Sequence, residues 1–163
     1  VNTINAIIST RRHGEPPAPT WKMSADELKQ VFSVVDRIFL PKPVSLYISR
    51  LVASTHPDSP EAVDYVRDYV LYGASPRAAI TIAEAARGMA LLQNRPTVGF
   101  EDVKAAAPGA LNHRIILNYK ARFDKIDTFA VINSQISALD ETGMNLPDTV
   151  QLEDTSDEET SAA

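Results

Sequence analysis

Apolar residues recur three and four positions apart in successive blocks of the chain, the spacing of one face of an α-helix. The first full block opens at Ser24, a good N-cap, with Glu27 three residues on to complete a capping box. Leu28, Val31, Val34, Val35 and Ile38 follow, so the pattern predicts an amphipathic helix over 25–39, stopped by Pro41 and Pro43. Pro43 suits the first turn of a second helix, about 43–55, with Val44, Tyr47, Ile48, Leu51 and Val52 on one face. Residues 61–72 read both ways: Val63, Val66 and Val70 fit a helix, whereas Tyr69-Val-Leu-Tyr72 favours a short extended piece. Ser75 as N-cap and Pro76 as first helical residue start a third helix running to about Gln93. Along it Ala79, Ala83, Ala86 and Ala90 form a small-residue stripe, and Ile80, Ile82, Met89 and Leu92 supply bulk. Phe100–Ala107 reads as a short helix ended by Pro108-Gly109, and Ala110–Tyr119 carries a further apolar set that begins as helix. Asp127 caps a last helix to about Leu139, with Phe129, Ile132, Ile136 and Leu139 facing inward.

The sum is an all-α fold, a small bundle of five to six helices over residues 24–142. Residues 2–11 read as the end of an earlier helix, and the Pro-rich run at 14–19 as a stiff linker. Beyond Thr142 the chain is rich in Ser, Thr, Asp and Glu and too poor in apolar residues to fold, so 143–163 is expected to be a disordered acidic tail. This tail accounts for the net charge of −5: it holds six acids and no Lys or Arg, leaving the rest near neutral. A near-neutral fold argues against nucleic-acid binding by bulk charge. The absence of cysteine excludes disulfides and thiolate metal sites, and the three histidines lack metal-ligand spacing. No apolar run approaches the roughly 20 residues of a membrane span, and no signal peptide is visible.

The sequence has no G-x-x-x-x-G-K-[ST] phosphate loop, no apolar strand ending in paired acids and no G-x-S-x-G, so no complete active site is expected within it. One segment is chemically pointed: Gly73, Ala74, Ser75, Pro76 and Arg77. A helix start carries partial positive charge and unpaired N–H groups, which suit an anion such as phosphate. A guanidinium in that first turn can make paired hydrogen bonds to phosphate oxygens. The simpler alternative is an ordinary Ser-Pro helix start with a solvated arginine. Arg87 and Arg95 read as solvated, His113-Arg114 as structural or at a subunit contact, and Tyr65, Tyr69, Tyr72 and Tyr119 as half-buried packing residues.

Four motifs in register narrow the choice. Gly73-Ala-Ser-Pro-Arg-Ala78, Ala85-Ala-Arg-Gly-Met-Ala-Leu-Leu-Gln-Asn-Arg95, Phe100-Glu-Asp-Val103 and Leu111-Asn-His-Arg-Ile115 together resemble the C-terminal lid of MoxR-type AAA+ ATPases, over about residues 24–120. The resemblance implies that 1–23 hold the end of an AAA+ core and its linker, and that 24–142 are the lid. It makes Arg77 the sensor-2 residue, the catalytic contribution of the lid. With Gly73, Ala74, Ser75 and Pro76 beside it, Arg77 would reach the γ-phosphate of ATP, with magnesium held by the core domain. It further implies a cytoplasmic protein in a homo-hexameric ring with neighbouring subunits, and chaperone-like remodelling with a von Willebrand factor A domain protein as partner. Neither a nucleic-acid partner nor activity of this chain alone is expected. One departure concerns the Glu-Asp-Val motif: Gly99-Phe100 stands where the family often has Ser or Thr then Pro, so that helix should begin less firmly. The competing reading is a non-enzymatic helical module that binds another protein.

Overall fold

The computed structural model describes residues 2–10 and 18–141. The expected acidic tail and most of the Pro-rich linker lie outside them. The chain forms two compact units, Val1–Val34 and Val35–Ala163. The first contains α1 (Asn2–Thr10) and nearly all of α2 (Ala25–Val35). The capping box that opens α2 is formed: Ser24 N–H donates to Glu27 Oε2 at 2.7 Å, and Glu27 N–H donates to Ser24 Oγ at 3.2 Å. The helix ends at Val35, short of the expected 39. Ile38 and Phe39 are drawn instead into the second unit. Ile38 is buried there, and Phe39 pairs with the 96–98 segment, donating to Pro96 O and accepting from Val98 N–H, each at 2.9 Å.

The second unit runs α3 (Lys42–Ala53), α4 (Asp64–Tyr69), β1 (Val70–Tyr72), α5 (Pro76–Leu92), α6 (Phe100–Leu111), β2 (Ile116–Leu117), α7 (Tyr119–Phe123) and α8 (Thr128–Ala138). The helical bundle is as expected, but finer-grained. Eight helices appear among the described residues, because α4 and α7 are pieces of six and five residues. The 61–72 stretch contains both of its alternatives: a helical turn, then a strand paired antiparallel with β2, Val70 opposite Leu117 and Tyr72 opposite Ile116.

Helix α5 is the axis of the core, packed along α6 on one side and α3 on another. Its buried face is Ala78, Ile82, Ala86 and Ala90, a strict four-residue row in which small side chains let the neighbouring helices come close. Ile80 and Leu92, expected to supply bulk, are 65% and 84% exposed. Each lies two positions from a member of that row, about 200° round the helix, on the opposite face. Helix α6 does not stop at Pro108 but continues to Leu111. Proline removes one ladder bond and strains the preceding turn, at about 3 kcal/mol. Burial of Ala107, Ala110 and Leu111 on both sides of it holds the helix together. Residues 116–117, which the apolar pattern left undecided, become β2. On α8 the inward residues are Val131, Ile132 and Gln135, with Leu139 buried just past its end, whereas Phe129 is 45% exposed.

Polar ties close the bundle. Gln135, buried on α8, accepts from Val63 N–H at 3.0 Å and donates to Glu61 O at 2.9 Å. Arg50 on α3 pairs with Glu61 and donates to the Asp140 carbonyl at 2.8 Å. Lys104 on α6 reaches Glu141 at 2.5 Å.

Candidate functional site

The five singled-out residues lie on the short connection between β1 and α5. Ala74 is fully buried and fixed at both of its backbone groups. Its N–H donates to Thr55 Oγ1 at 2.9 Å, and its carbonyl oxygen lies 3.0 Å from His56 Nε2. A carbonyl only accepts, so His56 Nε2 is the donor in this bond. Thr55 is buried and donates in turn to Val52 O at 2.6 Å, anchoring the connection to the end of α3. Gly73 is required by the same contact: a Cβ there would come 2.7 Å from both His56 Cγ and the Thr55 carbonyl oxygen. Neither Thr55 nor His56 was singled out from the sequence, and only a pairing 18 or 19 residues long reveals them.

Ser75 occupies the N-cap position with extended backbone, and Pro76 is the first helical residue. The Ser75 hydroxyl caps nothing among the described residues; the Ser75 carbonyl instead accepts from Ala78 N–H at 2.8 Å. Arg77 is exposed, and its guanidinium makes no hydrogen bond or ion pair among the described residues. At its backbone, Thr81 Oγ1 donates to the Arg77 carbonyl at 3.1 Å. No acid lies in the first turn of α5, so an arginine faces the positive end of a 17-residue helix dipole unbalanced. Beside it an apolar groove of about 570 Å³ runs between α3 and α5, lined by Val52, Ala53, His56, Ala74, Pro76 and Ala79.

Two arginines read as solvated are not. Arg95 donates to Asp102 at 2.9 and 2.5 Å, and Gly99 N–H donates to the same carboxylate at 2.8 Å. Burial alone would raise the Asp102 carboxyl, but the Arg95 and Gly99 hydrogen bonds outweigh it and hold the group below its ordinary value. The side chain three residues into α6 thus closes back on the Gly99 N–H, the half of a capping box that a glycine permits, while Gly99 offers no side chain to the first-turn N–H groups. Arg87 pairs with Glu84 through Nη1 at 2.6 Å, and its Nε is buried without a partner among the described residues. His113 is exposed, and Arg114 donates to Ala110 O at 2.6 Å, a structural role. Tyr65, Tyr72 and Tyr119 are exposed rather than half-buried, and Tyr69 alone of the four is half-buried.

Residues 64–135, from α4 to α8, match the family described as the AAA lid domain. Chaperone MoxR1 of Mycobacterium tuberculosis is 31% identical over 144 residues, 83% of this chain and 38% of that relative. The chain carries a MoxR-type AAA lid domain. The uncharacterized protein YeaC of Bacillus subtilis is 31% identical over 125 residues, 70% of this chain and 36% of YeaC. The crystal structure of a candidate ATPase from Cytophaga hutchinsonii superposes with a TM-score of 0.67 at 33% identity, covering 71% of this chain and 35% of that one. The lid-bearing chain thus spans little more than a third of the length of each relative.

Proposed function

We propose that this lid senses the γ-phosphate of ATP through Arg77 and passes the state of the nucleotide to the rest of an AAA+ ATPase. The observation that carries the reading is the unpartnered Arg77 guanidinium, exposed at the start of α5 on a connection fixed to α3 by Thr55 and His56. An AAA+ core, preceding the lid and ending within residues 1–23, would hold ATP and its magnesium. Arg77 would then donate paired, charge-assisted hydrogen bonds to the γ-phosphate. Once that acceptor leaves, the lid loses the contact, and its preferred position shifts only by the differential affinity of Arg77 for the two nucleotide states. Such a contact is worth about 1–3 kcal/mol, a 5- to 150-fold bias. In the cytoplasm, within a homo-hexameric ring, the shift would move neighbouring subunits and drive chaperone-like remodelling of a client or of a partner with a von Willebrand factor A domain.

The test is Arg77→Ala made in the protein with its AAA+ core present. ATP turnover is expected to fall at least about tenfold, the rate equivalent of about 1.4 kcal/mol, with the helical circular dichroism unchanged. Arg77→Lys should recover little, since a point charge lacks the planar fork. Unchanged turnover and an unchanged response to ATP against ADP would refute the sensor role.

A further inference from the structure

We propose that a basic recess between the turn ahead of α3 and the side of α5 binds a carboxylate-rich peptide, and that this chain's own residues 148–159 occupy it. The recess, about 570 Å³, is lined by Arg37, Lys42 and Arg87 together with Asp36 and Ser45. Three cations face one acid. Neither Arg37 nor Lys42 has an ion-pair partner among the described residues, so positive charge remains in excess of the single Asp36 carboxylate. The start of α3 adds to it. Lys42 sits in the first turn, no acid accompanies it, and Pro41 at the N-cap provides no capping side chain. A cation at the positive end of a 12-residue helix is unfavourable unless an anion is supplied. Arg87, on the opposite wall, commits Nη1 to Glu84 and leaves a buried Nε with no partner among the described residues. A guanidinium left half-satisfied in this way favours a further carboxylate.

The occupant is argued from charge and reach. Residues 143–163 hold six acids and no cation. The chain leading to them is held at Asp140 and Glu141 by Arg50 and Lys104. Arg50 lies eight residues along α3 from Lys42, about 12 Å at the helical rise. Asp148 is seven residues past Glu141, a span of up to about 25 Å. The connecting stretch is therefore long enough for the acids at 148, 153, 154 and 157–159 to be brought to the recess with the anchor intact.

The chain has no cysteine, so Ser156→Cys gives a single thiol for a nitroxide spin label on the whole protein. At low salt the label should erase most of the amide signal of Arg37, Phe39, Ser45 and Arg87 while sparing α8. The loss should vanish in the Arg37→Glu, Lys42→Glu double variant, whose positions are exposed and tolerate the change. It should also vanish in about 1 M salt, where the screening length is about 3 Å. Broadening that is uniform, that falls elsewhere, or that survives the double variant overturns the proposal. Broadening seen only when a labelled copy is mixed with an isotope-enriched unlabelled one overturns the assignment within one chain. No nucleotide is present, so the result is independent of Arg77.

Discussion

Replacing Asp102 with alanine should cost about 2–3 kcal/mol. The side chain is 2% exposed and does two things at once: it caps α6 through Gly99 N–H and it neutralises Arg95. Loss of a helix cap costs about 1 kcal/mol, up to 2 where the orphaned N–H stays partly buried. The ion pair adds less than a fully buried one, because the Arg95 side chain is 37% exposed and can rehydrate; about 1 kcal/mol is appropriate. Urea unfolding of both proteins at neutral pH should show a lower midpoint with an unchanged slope. Acid supplies a second check. The folded carboxyl titrates below its ordinary value, so its stabilisation is complete above the unfolded carboxylate value near about 3.9 and is lost as pH falls through the folded one. The gap between the two proteins should therefore hold steady from neutral pH into mild acid and close below that range. A cost under about 0.5 kcal/mol, the level of an ordinary surface change, would refute the reasoning, as would a gap that widens in acid.

Gly73→Ala places a methyl against the Thr55 carbonyl, a backbone atom that cannot rotate away, and should destabilise the lid by about 1–3 kcal/mol. In the protein with its core, the same substitution should also weaken the response to ATP, since Arg77 would be displaced with the connection. Gln135→Leu keeps the volume but orphans Val63 N–H and Glu61 C=O, at about 1–3 kcal/mol, and should speed hydrogen exchange at the Val63 amide well above that of Ile132. Asp127→Ala removes the acceptor for Ala130 N–H, 2.7 Å away, and should lower stability by about 1 kcal/mol in thermal melts.

Local chemistry made much of this legible in advance. Ser24 with Glu27, Ser75 with Pro76, and Asp127 each mark a helix start through a preference that acts within four residues, and each start is where the sequence puts it. The features left open or misjudged all depend on distant partners. Residues 70–72 become a strand because 116–117 lie beside them. Helix α6 outlasts Pro108 because the residues beyond it are buried. Arg95 is paired because α6 turns its third residue back toward it. The site divides the same way. Gly73 to Arg77 are visible in the sequence as a helix start suited to an anion, whereas the Thr55 and His56 anchor appears only once α3 is folded against it.

The short ribbon of β1 and β2 ends one residue before Gly73. On its far side only Ser75 separates Ala74 from α5, and Ala74 itself is tied to Thr55 just past the end of α3. The backbone that carries the arginine is therefore tied within a few residues to three neighbouring elements, so a displacement of that backbone is shared with helices and ribbon rather than absorbed locally.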